Sequence, residues 1–121
     1  MRTLGQERAA FALDRVLEIP TNEKENFESF SAGAPSVILQ NGFGQALAFW
    51  YSKKNKDAKN ATLLNIIKEW LVRNEFVKPV DDTDVNFIRS LSGMNQREFH
   101  AAGNEALLLL EWVKRYANAG F

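Results

Sequence analysis

Cysteine is absent from the 121 residues. That excludes a disulfide framework, a thiol nucleophile, and any zinc or iron–sulfur site built on thiolates. The one histidine, His100, supplies no HExxH pair for a metal. GxGxxG, GKS, GKT and GxSxG are all missing, so dinucleotide, P-loop and serine-elbow chemistry have no motif to stand on. Charge of one sign is missing too. Fifteen Lys and Arg balance fifteen Asp and Glu, so net charge argues neither for nor against nucleic acid. No apolar run approaches the ~18 residues of a membrane span; LLLL at Leu107–Leu110 is hemmed in by Glu105 and Glu111. MRTLGQERAAFALDRV lacks the continuous apolar core of a signal peptide. A soluble, cytoplasmic protein without cofactor or metal is expected.

What is present is helical patterning. Apolar residues make up 45% of the chain, enough for the core of one domain spanning 1–121. Thr3 caps a first helix with Ala9, Ala10, Leu13, Val16 and Leu17 on its inward face, ended by Pro20. Asn22 and Glu25 have capping-box spacing for a short helix that Ser31-Ala32-Gly33 breaks. ATLLNIIKEWLVRNEF aligns Leu63, Ile67, Trp70, Leu71 and Val77. Asp81 or Asp82 opens a short helix ending at Ser92-Gly93, and Asn95 with Glu98 caps a last helix running to about Asn118. The expectation is an all-α fold of about six helices with a bundle-like architecture.

Ile38–Trp50, ILQNGFGQALAFW, is the least ordinary stretch. At about 100° per residue its apolar side chains cover one broad arc, which predicts a continuous core-facing helix with Pro35 in its first turn. A hairpin at Asn41-Gly42 lacks a second strand-like arm. Two interior glycines together cost about 1.5–2 kcal/mol, which suggests close approach of a neighbour at Gly42 and Gly44.

Residues off the inward faces are candidates for binding. Arg8 and Arg15 flank Phe11 at helical spacing, a platform for phosphate or an unstacked base, or else a packed ring with two ion-paired arginines. Lys53, Lys54, Lys56 and Lys59 follow a helix end, where they complement its dipole and are also spaced to meet successive phosphates. Leu108 and Trp112 fall opposite the inward stripe of Phe99, Ala102, Ala106, Leu110, Val113 and Ala117, as a partner patch or as part of a helix buried all round. Asp81, Asp82 and Asp84 read better as caps than as a cation site. No catalytic residues emerge; a hydrolase would have to rest on His100 with an acid from elsewhere.

QERAAFAL at Gln6–Leu13, PSVILQNGFGQALAFW at Pro35–Trp50 and LLLLEWVKRYANA at Leu107–Ala119 resemble the small all-helical subunit of the type III-B CRISPR effector, the Cmr complex. The resemblance implies a non-catalytic structural subunit in RNA-guided antiviral defence. Its partners would be other Cmr subunits, copies of itself, and the guide–target RNA duplex through its backbone. It makes Gln40, Asn41, Gly42, Gly44 and Gln45 a packing and subunit-surface signature. Arg8, Arg15, Lys53, Lys54, Lys56 and Lys59 become the RNA-binding candidates, with Leu108 and Trp112 as neighbour contacts. A stand-alone protein adaptor using Leu108 and Trp112 is the alternative, and type III-A small subunits share the same general character.

Overall fold

Short-range polar contacts start three of the helices in the computed structural model, which describes residues 1–121. Thr3 accepts the Gln6 N–H while the Gln6 side chain accepts the Thr3 N–H, opening α1 (Leu4–Leu17). Asn95 and Glu98 form the same reciprocal pair at the head of α6 (Gln96–Asn118). Thr83, not Asp81 or Asp82, caps α5 (Asp84–Ser92). Asp81 acts one step back: it accepts from the Thr83 N–H and hydroxyl and from Asn86, and those bonds hold its carboxyl below the usual range, Asn86 contributing most.

Between these lie α2 (Lys24–Asn41), α3 (Phe43–Ser52) and α4 (Ala58–Arg73), with a 3₁₀ turn at Thr21–Glu23 ahead of α2. The fold is all-α, as its sequence pattern predicts. α6 packs along α2 and α1, and α4 closes the arrangement against α3 and α6. Trp50, Trp70, Phe27 and Phe87 are the largest fully buried side chains of one contiguous core. No helix is long and apolar enough to cross a membrane.

The middle of the chain departs from the expectation twice. Ser31-Ala32-Gly33 does not break a helix; α2 runs through it and through Pro35. Proline removes one intrahelical bond. However, Phe27, Ser31, Ala34, Pro35 and Ile38 recur at helical spacing along one buried face, and packing of the whole face outweighs that loss. The Asn22–Glu25 box is likewise unformed, since α2 begins at Lys24 with no side-chain cap.

The second departure is at Gly42. Ile38–Trp50 is two helices, not one rod, joined at Gly42 with φ 84° and ψ 159°. Gly42 donates to the Ile38 carbonyl and accepts from the Ala46 N–H, so it ends α2 and starts α3 at once. The cause is geometric. On a straight helix at about 100° per residue, Phe43, Leu47 and Trp50 would point roughly 120–180° away from Ile38. Turning the chain at Gly42 lets all four be buried.

α1 is also rotated from its expected setting. Phe11, Ala12 and Val16 are buried, while Leu17 is exposed. Phe11 lies 5.0 Å from Trp70, ring centre to ring centre.

α5 is fastened by charge. Lys54 and Lys68 both reach the Asp84 carboxylate, and the Tyr51 hydroxyl donates to its Oδ1 at 3.3 Å. Burial pushes the Asp84 carboxyl up, but the Lys54 hydrogen bond and charge, with Lys68, outweigh it and hold the carboxyl below its ordinary value. Burial first, then Asp84, pushes the Tyr51 phenol above its usual range. A carboxyl depressed in the folded state adds stability above the unfolded pKa of about 3.9 and loses it as pH falls through the lower folded value. Thermal unfolding scans from pH 6 down to pH 2 should therefore show a shallower fall in Tm for Asp84→Asn than for the parent.

Candidate nucleic-acid interface

The α3–α4 junction concentrates unpaired positive charge. α3 ends at Ser52, the chain makes a turn through Lys53–Lys56, and α4 begins at Ala58. Lys53, Lys56 and Lys59 have no acid within ion-pair distance, and Lys56 is exposed. The ammonium of Lys53 lies 5.5 Å from the centre of the Phe49 ring, and that of Lys59 lies 5.5 Å from the Phe30 ring. Lys54 belongs to a different network, being committed to Asp84.

These rings and lysines frame a groove of ≈ 520 Å³ between α2, α3 and the start of α4. Phe30, Gly33, Val37 and Phe49 line its apolar part, with Lys53, Asp57, Lys59 and Asn60 at the polar end. Phe49 is 48% exposed, whereas Asn60 is buried and its Oδ1 has no hydrogen-bond donor. α4 opens here with no side-chain cap on its first turn. None of Phe30, Gly33, Phe49 and Asn60 stands out in the sequence as a binding residue. Only the Phe49–Lys53 pair, four apart across the end of α3, carries a local signal; Phe30 and Lys59 meet through the fold.

The arginines behave differently. Arg8 donates from Nε to Glu105 at 2.5 Å and from Nη2 at 2.9 Å, with its side chain 12% exposed. Trp70 Nε1 donates to the same buried carboxylate at 2.9 Å. Arg8 is therefore a partner inside the fold, and its expected phosphate contact gives way to that role. Arg15 pairs with Glu18 at 2.7 Å and Glu69 at 3.0 Å. It does flank Phe11, but the second guanidinium over that ring is Arg73, and the ring is buried. No open platform for a base exists there.

Leu108 and Trp112 are 44% and 37% exposed, so the last helix is not buried all round. Trp112 stacks on Tyr116 at 5.6 Å, and Tyr116 meets Phe121 at 6.3 Å, which gives an outward aromatic strip. Gln40, Asn41 and Gln45 are exposed around the Gly42 turn, with Asn41 donating back to the Val37 carbonyl. Gly42 faces open space and is required by its backbone angles, not by a close neighbour; Gly44 lies at ordinary contact distance from Phe99. The tight helix approach is at Gly103, where an added Cβ would meet Phe43 at 3.0 Å. His100 is exposed on α6.

The family model described as CRISPR-associated protein (Cas_Cmr5) matches residues 4–120. Among solved structures, the chain is similar to the X-ray crystal structure of a CRISPR-associated Cmr5 family protein from Thermus thermophilus. The TM-score is 0.74 at 24% identity, covering 98% of this chain and 97% of that one. At that identity the structural likeness speaks for the fold alone.

Proposed function

Because the chain belongs to the Cmr5 family of CRISPR-associated proteins, and so to the subunits of the type III-B effector, we propose that it is a non-catalytic structural component that stacks beside other Cmr subunits and copies of itself and holds target RNA against the guide. The observation that carries this reading is the α3–α4 corner, where Lys53, Lys56 and Lys59 are free of acidic partners in a chain of zero formal net charge. Free ammonium groups on one corner suit backbone phosphates and read no sequence. The outward strip of Leu108, Trp112 and Tyr116 is the surface for a protein neighbour, since exposed aromatics carry much of the binding energy at such contacts. Weak contacts repeated along a row of copies add up without strong binding by one subunit.

The triple variant Lys53→Glu, Lys56→Glu, Lys59→Glu tests the corner. Target-RNA retention by the assembled complex should fall at least tenfold, and the slope of log affinity against log salt should flatten by about 2–3, from ~0.7 per phosphate contact on a single strand to ~0.9 on a duplex. Lys54 is left untouched because its reversal would unfasten α5. Unchanged retention and slope would remove these lysines from the RNA path. Purification of the native assembly separates this reading from a stand-alone adaptor acting through Leu108 and Trp112: the chain should co-purify with guide RNA and larger subunits, and recovery with a protein partner alone would favour the adaptor.

A further inference from the structure

The groove beside the lysine corner has features that phosphate contacts do not need. Phosphate is met by exposed cations, whereas this groove presents two aromatic rings, an apolar wall at Gly33 and Val37, and a buried amide. Asn60 Oδ1 is shielded from bulk water and has no donor within the fold, although buried amide oxygens in native proteins are nearly always satisfied. Asn60 lines the groove, and a turn of its side chain would offer that oxygen to a donor seated there. Each ring carries a lysine over it, and Asp57 is the only acid on the lining, so the rim is net positive.

The geometry points to this groove as a pocket for one unstacked nucleobase of a bound single-stranded RNA. This rests on the RNA-holding reading and deepens it. The base stacks against Phe49 and Phe30, and with the Asn60 side chain turned into the groove a base N–H donates to its Oδ1. The adjoining phosphates meet Lys53 and Lys59 at the polar end of the groove. Every base has a π-face and at least one N–H donor, so the pocket accepts any base with weak preference. An apolar peptide would explain the rings but not the cations. A bare phosphate chain would explain the cations but neither the rings nor the amide.

Gly33 provides a variant that tests the pocket without endangering the fold. A Cβ built there meets nothing within 4 Å, and the residue is an exposed position inside α2, where leucine is a better helix former than glycine. Gly33→Leu therefore fills the groove and leaves thermal stability equal or higher.

The experiment is an NMR titration of the full chain with a short oligoadenylate RNA and with an abasic oligomer of the same number of phosphates. Intact RNA should shift the Asn60 side-chain amide and the Phe30 and Phe49 ring signals. Its affinity should exceed that of the abasic strand by about tenfold, the order expected for one stacked base, and Gly33→Leu should remove most of that difference. Equal affinity for the two strands, or signals that respond to neither, would overturn the pocket. So would signals that move only when a protein subunit is added, which would assign the groove to a protein side chain. The triple-lysine result stands apart: if it weakens both strands alike, the RNA-holding reading survives even where the base pocket fails.

Discussion

Replacing Glu105 with alanine is expected to lower the unfolding free energy by about 3–5 kcal/mol, the range for breaking a buried ion pair from one side. Two Arg8 nitrogens and the Trp70 indole N–H all end on this carboxylate, which is 5% exposed. Alanine leaves a shielded guanidinium and an indole N–H without acceptors, and it opens a void between α1, α4 and α6. Glu105→Gln should fall between parent and alanine, because it keeps an acceptor for Trp70 and loses the charge. Pairing it with Arg8→Met should recover part of the loss, since the stranded cation is then gone. Urea unfolding followed by tryptophan emission measures all of these. A Glu105→Ala midpoint matching the parent would show that the network is incidental to the fold.

The second large effect separates two glycines that stand two residues apart. Gly42 adopts φ 84° and ψ 159°, a region essentially reserved for glycine, where an ordinary residue costs about 1–3 kcal/mol. Gly42→Ala should therefore destabilise by that amount, with an unchanged m-value. Gly44 lies inside α3, and a Cβ there would meet Phe99 Cζ at 3.5 Å, an ordinary contact. Gly44→Ala should be neutral or stabilising by up to about 1 kcal/mol. A continuous helix would make both substitutions stabilising, so the opposite signs identify the turn.

That turn also marks where the sequence stops being informative. Both reciprocal capping pairs are contained in four residues, and the one at Asn95 and Glu98 is legible without the fold. The stripe on α6 is equally local, and Leu108 and Trp112 do emerge on its outer side. Ile38–Trp50 carried a warning in the width of its apolar arc: half the helix circumference is more than one surface helix can bury, and a turn resolves the excess. The setting of α1 had no such warning. Arg8 finds Glu105 from 97 residues away, so nothing near Arg8 distinguishes a buried partner from a phosphate ligand. The lysine run divides for the same reason. Asp84, thirty residues on, takes Lys54 out of the set and leaves Lys53, Lys56 and Lys59. The groove was the least legible feature, because Phe30 and Asn60 become neighbours only when α2 and α4 pack.

In the proposed assembly the α3–α4 corner lies along target RNA. Photocrosslinking of 4-thiouridine-substituted target RNA in that complex, followed by mass spectrometry of this subunit, tests it most directly. Crosslinks are expected within the segment from Phe49 to Asn60 and should be lost in the triple-lysine variant. Crosslinks confined to other parts of the chain, in a complex that holds its target RNA normally, would contradict it.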